Sequence, residues 1–296
     1  MITTEKQGFY HLLKISLPYL LFSIAYTVLF LFLEEQLGDR IYKVSGQIGS
    51  VFGLAVAFFL GFRMNSAYDR WWEARKIFGE LTNNTRSFVT KIFVYFKNKK
   101  NLVNGNTEEL LRDMIDLSRS YIRQLKNEMH NKFHPTVDEK TKVLFKKYNI
   151  EPDNKRTNEI LLALTSIIEQ NFLAGSNIEK SDLMQHINRF YDIQGKAERI
   201  KNTSFLKIYA VFTRITVFFY VILLPLFIGD IDIGGEESTL ELLSIPIIVA
   251  ISTVFLTINQ LAALFGEPFS EKKTSVPIDE ICKIIDTNCL EVLKKI

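Results

Sequence analysis

Residues 53–76, GLAVAFFLGFRMNSAYDRWWEARK, decide how the rest of the chain is interpreted. An apolar run rich in Gly and Phe ends at Arg63, and the only two tryptophans of the chain, Trp71 and Trp72, follow within nine residues. Such a run suits the hydrocarbon core of a bilayer, whereas Arg and Trp are enriched where a helix leaves it. The stretch therefore predicts a helix that emerges from a membrane close to Arg63.

Hydropathy along the 296 residues supports a membrane protein. A helix needs roughly 17–25 predominantly apolar residues to cross a bilayer. Four candidate segments occur, at 15–33, 45–62, 215–229 and 242–266. The third is short and contains Pro225, but together the four form two hairpins separated by a charged block of about 150 residues. We expect an all-α membrane protein with four transmembrane helices per subunit and a large helical cytosolic region.

The charged block shows helical rather than strand periodicity. Apolar residues recur at spacings of three and four in 107–125, 157–174 and 180–201, and the C-terminal stretch has one apolar helical face. The predicted parts are a first transmembrane hairpin in 1–62, a helical cytosolic region in 63–214, a second hairpin in 215–266 and a cytosolic C-terminal segment with an amphipathic helix in 267–296.

Basic residues beside the apolar segments predict the orientation, because Lys and Arg favour the cytoplasmic side. They follow the second and fourth segments, at Arg63, Arg70, Arg75, Lys76, Lys272 and Lys273. The loop between the third and fourth segments has no basic residue and carries Asp230, Asp232, Glu236, Glu237 and Glu241. We expect a multi-pass protein of the cell membrane with this acidic loop outside and both termini in the cytoplasm.

Two stripes of residues run along the second apolar segment at i, i+4 spacing. The first consists of small residues, Gly49, Gly53, Ala57 and Gly61, which allow close approach of neighbouring membrane helices. The second is bulky and apolar, with Leu54, Phe58 and Phe62. On this pattern alone, lipid contact or core packing is the favoured interpretation, and the alternative is a hydrophobic constriction if the helix faces a pore.

The residues after Phe62 also permit two interpretations. Trp71 and Trp72 could form an interfacial belt at headgroup depth beside the arginines. However, Trp71 lies ~13 Å beyond Phe62 along a continuous helix, so the pair could instead pack inside the soluble part. Adjacent tryptophans point to different faces of a helix, so we expect them to contact different neighbours.

The chain from Phe58 to Phe88 resembles the bestrophin family, in its bacterial bestrophin-like branch. The motif residues are Arg63, Tyr68, Asp69, Arg70, Trp71, Trp72 and Glu73. Further similarity lies in GKAERIKNT at 195–203 and LFGEPF at 264–269. The resemblance follows the order of the segments over most of the chain.

This resemblance implies a homopentameric ion channel with one central pore, rather than an enzyme. The positions that match the family's hydrophobic neck are Leu54, Phe58 and Phe62. The implied partners are other copies of the chain, membrane lipid and monovalent ions, with no cofactor and no nucleic acid. The family's anion channels and the acidic loop point in opposite directions, so anion and cation passage both stay open. The alternative function is a membrane-anchored scaffold or enzyme that uses residues 63–214.

Other candidate sites are weak. Lys272 and Lys273 stand where eukaryotic relatives have acidic calcium ligands, so we do not expect calcium activation. His130 and His134 could share one helix face, but they have no assured third ligand, and no metal site is predicted. The two cysteines, Cys282 and Cys289, are predicted to be small buried apolar residues.

Overall fold

The computed structural model describes residues 5–37, 44–97, 107–132, 137–151, 156–171, 177–203, 207–228 and 237–296, with side chains in the last range from residue 244 onwards. The described helices are α1 (Glu5–Leu37), α2 (Gly46–Lys97), α3 (Thr107–Met129), α4 (Glu139–Lys147), α5 (Arg156–Asn171), α6 (Asn177–Asn202), α7 (Lys207–Ile228), α8 (Glu237–Phe265) and α9 (Ile278–Leu293). No strand occurs in these ranges, in agreement with the all-α prediction.

Four of the described helices are long and apolar enough to cross a bilayer, namely α1, α2, α7 and α8 from Ser244. They correspond to the four apolar segments of the sequence, which confirms that part of the fold prediction. Three of these helices contain an internal proline in their apolar stretch, namely Pro18 in α1, Pro225 in α7 and Pro246 in α8. Membrane helices accept such breaks because neighbouring groups can satisfy the freed backbone.

The chain divides into two compact units. The first comprises residues 1–71, 204–268 and 272–275, and therefore holds α1, the first half of α2, α7 and α8. The second comprises residues 72–203, 269–271 and 276–296, and holds the rest of α2 with α3 to α6 and α9.

The core of the first unit joins α2, α7 and α8. Its buried residues are Val56, Leu60, Val217, Tyr220, Val221, Leu224, Phe227, Ile228, Ile248 and Leu256. Helix α1 packs mainly along α8. Only Ser23 and Thr27 of α1 are buried, and the Thr27 hydroxyl donates to the Ser23 carbonyl at 2.8 Å.

The second unit is a helical assembly around α3. Tyr121 of α3 is fully buried, and its hydroxyl donates to the carbonyl of Phe190 in α6 at 2.9 Å. The Tyr121 and Phe190 rings meet edge to face with centroids 5.1 Å apart. This geometry suits the ring quadrupoles and anchors α6 against α3.

Helix α9 packs on α3 with the apolar face that the sequence predicts. Ile278, Ile281 and Ile285 are buried, and so are both cysteines. Burial raises the pKa of the Cys282 and Cys289 thiols to about 12, so both stay protonated at neutral pH. The prediction that the cysteines are buried apolar residues is confirmed.

Candidate pore-lining site

The bulky stripe of α2 is uncovered within the subunit. Leu54, Phe58 and Phe62 are 74%, 61% and 51% exposed. The Phe58 and Phe62 rings pack edge to face, with centroids 4.5 Å apart and planes at 87°. The two rings therefore support one another as one apolar surface that no other part of the described subunit covers.

The opposite face of α2 is buried. Val56 and Leu60 lie in the core of the first unit and are 1% and 3% exposed. Both faces of this helix are apolar, so hydropathy alone does not separate them. The contacts with α7 fix the rotation of α2 and leave the bulky stripe outward.

The small residues of α2 divide into two pairs. Gly49 and Gly53 face α7, since a Cβ at Gly49 would lie 2.5 Å from Phe227 Cβ and one at Gly53 would lie 2.5 Å from the Tyr220 hydroxyl. Ala57 and Gly61 are exposed in the subunit. A Cβ at Gly61 would meet nothing within 4 Å. Only the first pair makes the close helix approach inside one chain.

Arg63 ends the apolar part of α2 in a buried position, 4% exposed. Its Nη1 donates a hydrogen bond to Oδ1 of Asn259 in α8. Nearby, the Tyr209 hydroxyl of α7 donates to the carbonyl of Phe59 at 2.9 Å. These two bonds tie the corresponding ends of α2, α7 and α8 together, and the positive charge of Arg63 is matched by an amide rather than a carboxylate.

The tryptophans differ in their surroundings, as their adjacency predicts. Trp71 Nε1 donates to the carbonyl of Thr274 at 3.0 Å, and its ring meets Phe265 edge to face. Tyr68 stacks on Trp71 with centroids 6.5 Å apart. Trp72 belongs to the second unit and is 48% exposed. Trp71 is thus packed against the segment that follows α8.

The other charged residues of the motif are less buried than Arg63. Asp69 is exposed, Arg70 is half-buried, and Glu73 forms an exposed ion pair with Lys76 at 2.6 Å. Such a pair contributes little to stability. Asp69 pairs with neither Arg63 nor any other base among the described residues.

The predicted outer acidic loop lies largely outside the described residues. Asp230, Asp232 and Glu236 fall in the undescribed range 229–236, and Glu237 is the first residue of α8, with its side chain undescribed. In the described part of the chain, no three His, Cys, Asp or Glu side chains cluster as a metal site requires. Helix α3 ends at Met129, just before His130, and His134 lies outside the described residues.

Sequence reasoning missed the partners of the motif. Asn259 and Thr274 bind Arg63 and Trp71 from positions about 200 residues away, a pairing that no local pattern reveals. One signal was available for Asn259, because an amide within the long apolar segment 242–266 is costly in lipid unless it finds a partner.

These features define a four-span helical membrane protein of the bestrophin fold. The model of the family described as Bacterial/Fungal Bestrophin protein matches residues 12–291, and the chain belongs to this family. The crystal structure of a bacterial bestrophin homolog from Klebsiella pneumoniae aligns with a TM-score of 0.78 at 22% identity, covering 94% of this chain and 98% of the homolog.

Two anion channel-forming proteins are similar to this chain in sequence. The voltage-dependent anion channel-forming protein YneE of Salmonella typhi is 25% identical over 245 residues, which are 82% of this chain and 75% of the relative. The YneE protein of Escherichia coli strain K12 carries the same description and is 25% identical over 248 residues, again 82% of this chain and 75% of the relative.

Proposed function

We propose that this protein is the subunit of a homopentameric ion channel in the cell membrane, with α2 lining a central pore and Leu54, Phe58 and Phe62 forming its neck. The observation that carries the proposal is the exposure of this stripe on a helix whose other face is buried. Five copies would build three stacked apolar rings about one helical turn, ~5.4 Å, apart.

A neck of this kind acts through dehydration. Ions that pass an apolar ring lose part of their hydration shell, and narrow apolar constrictions can close by dewetting. Leu and Phe side chains offer no charge with which to choose between anions and cations. The stripe therefore explains a barrier and a gate, while charge preference must arise elsewhere in the channel.

The conducted species is proposed to be a monovalent ion. The descriptions of two relatives as anion channel-forming proteins support an anion as the conducted species. The acidic loop, proposed to lie outside, favours cations because several carboxylates near an entrance would attract them. The cytosolic placement of the second unit and of both termini follows from the distribution of Lys and Arg and is part of the same proposal.

A planar bilayer containing the purified protein tests the function. We expect discrete ion currents, and the reversal potential under asymmetric NaCl gives the charge preference directly. Phe58→Ala and Phe62→Ala should increase conductance or open probability, because smaller rings widen and wet the neck. Absence of current from correctly assembled protein, or unchanged current in both variants, would contradict the pore assignment.

A further inference from the structure

The pair Arg63 and Arg214 lacks a counter-ion in the described structure. Arg63 is buried in the first unit, and among the described residues it hydrogen-bonds only to the neutral amide of Asn259. Arg214 of α7 carries a like charge near the same helix end, because the Tyr209 hydroxyl, on the preceding turns of α7, donates to the carbonyl of Phe59, one turn before Arg63. Neither arginine forms an ion pair with a carboxylate of the described residues. Two cations held within electrostatic range favour an anion between or beside them.

Each of the two arginines lies at one end of an apolar stretch. Arg63 directly follows the segment 45–62, and Arg214 directly precedes the segment 215–229. The hydrogen bond from Tyr209 to the Phe59 carbonyl brings these two ends side by side. In a bilayer, the ends of apolar stretches meet the lipid headgroups, where phosphate is the abundant anionic group.

The surface around Arg214 is apolar and uncovered. Ile208, Val211 and Ile215 are all exposed on α7, at spacings of three and four. Lys207 and Arg214 are also exposed and share the face that includes Val211. An acyl chain could lie along this stripe while its headgroup reaches the two bases.

We propose that this corner, formed by Arg63, Arg214 and Lys207, binds the phosphate of an anionic phospholipid. Arginine suits the role because its planar guanidinium donates paired hydrogen bonds to phosphate oxygens. The Asn259 amide holds the Arg63 guanidinium in place, and Arg214 and Lys207 extend from α7 to the same headgroup. The bound lipid supplies the negative charge that the described protein does not.

Lipid-dependent stabilisation of the full-length protein in detergent provides the test. Phosphatidylglycerol and phosphatidylcholine with identical acyl chains are titrated against the wild type, and binding is followed by thermal unfolding and by native mass spectrometry. We expect phosphatidylglycerol to bind about tenfold more tightly than phosphatidylcholine. The reason is that the phosphatidylglycerol headgroup carries a net negative charge, which strengthens its hydrogen bonds with the basic side chains. Equal binding of the two lipids would overturn the proposal.

Variants separate this corner from other surfaces. Arg214→Gln should remove most of the preference for phosphatidylglycerol, whereas Arg112→Gln, at an exposed arginine of the second unit, should keep it. Arg63→Gln should have the same effect as Arg214→Gln. Arg63 is buried and its variant could fail to fold, so the exposed Arg214 decides the result. Retention of the full preference in Arg214→Gln would refute the site.

A final arm distinguishes a lipid from a free anion. Inorganic phosphate or NaCl, added at the concentration of the lipid, should give no comparable stabilisation, because neither can cover the apolar stripe of α7. Equal stabilisation by inorganic phosphate would assign the corner to a soluble anion and overturn the lipid proposal. These measurements do not depend on ion conduction, so their outcome is independent of the proposed channel function.

Discussion

Gly49 of α2 lies against Phe227 of α7 so closely that a Cβ at position 49 would come within 2.5 Å of Phe227 Cβ. The atoms it would meet begin at the base of the phenylalanine side chain and cannot rotate away. The closeness of α2 and α7 therefore depends on glycine at this position.

Gly49→Ala should destabilise the first unit by about 1–3 kcal/mol, the usual cost of overpacking a tight contact. Thermal unfolding in detergent should show a lower midpoint than the wild type. Gly61→Ala is the matched control on the same helix, since its Cβ would meet nothing within 4 Å. An unchanged midpoint in Gly49→Ala would show that α2 and α7 can separate without cost.

Truncations on the two faces of α2 should have different effects. Leu60→Ala removes a buried side chain and should destabilise the subunit by about 2–5 kcal/mol. Phe58→Ala removes a largely exposed side chain and should change the thermal midpoint much less while altering ion flux. Parallel measurement of unfolding and liposome ion flux checks this. The proposed division of the helix fails if Phe58→Ala is the more destabilising variant.

The docking of α9 should depend on Asp286. Its carboxylate accepts hydrogen bonds from Arg119 Nε at 2.7 Å and Arg119 Nη2 at 3.1 Å. Burial acts to raise the pKa of Asp286, but its bonds with Arg119 and the charges of Arg119 and Arg123 hold that pKa below its usual range. The carboxylate is therefore ionised, and the pair is stabilising, at neutral pH.

Asp286→Asn should destabilise the protein by about 1–3 kcal/mol, because a partly buried Arg119 loses one of its two charged partners and keeps only Asp116. Thermal unfolding and protease protection of the C-terminal segment provide the measurement. Glu139→Gln breaks an exposed pair with Lys142 and should have almost no effect. Similar midpoints for the two variants would mean that α9 is held by its apolar face alone.

Stability should fall as pH decreases through the range in which an ordinary histidine titrates. His186 is buried, and its Nδ1 lies 2.7 Å from Asn84 Oδ1. Since Asn84 Nδ2 donates to the His186 carbonyl, Asn84 Oδ1 accepts from the neutral ring. Burial, and then the charge of Lys91, lower the pKa of His186 below its ordinary 6.5.

The unfolded chain therefore binds a proton at a pH where the folded chain does not. The contribution of neutral His186 to stability is fully present above about pH 6.5. It is lost as pH falls from there toward the lower pKa that His186 has in the folded protein. Denaturant unfolding at pH 7.5 and 5.5 checks this for the wild type, and His186→Gln should show a flatter dependence between these values. An equally steep dependence in the variant would assign the effect to other groups.

Much of the fold could be predicted because membrane helices must be long and apolar. The four apolar segments, the helical block and the buried face of α9 all follow from hydropathy and periodicity. The full length of α2 could not be predicted in this way, because the apolar stretch ends near Phe62 while the helix continues to Lys97. No proline lies between Gly46 and Lys97 to interrupt the helix. The Lys, Arg and Glu residues beyond Phe62 have high helix propensity in water, so the helix continues after the apolar stretch ends.

The surroundings of the candidate site were harder to predict. The sequence presents apolar residues on both faces of α2, and only contacts with α7 show that Val56 and Leu60 are inside while Phe58 is outside. The Arg63–Asn259 contact joins residues that are 196 positions apart. Patterns of three or four residues carry no information about such pairings, which arise when separate helices meet.

The length of α1 has a consequence for the membrane around the protein. Its 33 residues include an apolar stretch, 15–33, that spans ~28 Å and nearly matches the ~30 Å hydrocarbon layer, while the remaining residues extend beyond this stretch. With only Ser23 and Thr27 buried, little of this helix is committed to contacts within its own subunit. Bilayers that differ by a few ångströms can therefore be matched by tilting α1 or by placing different residues at the interface, at modest cost. Hydrophobic mismatch would then be absorbed by α1, and the α2–α7 contact would be left undisturbed.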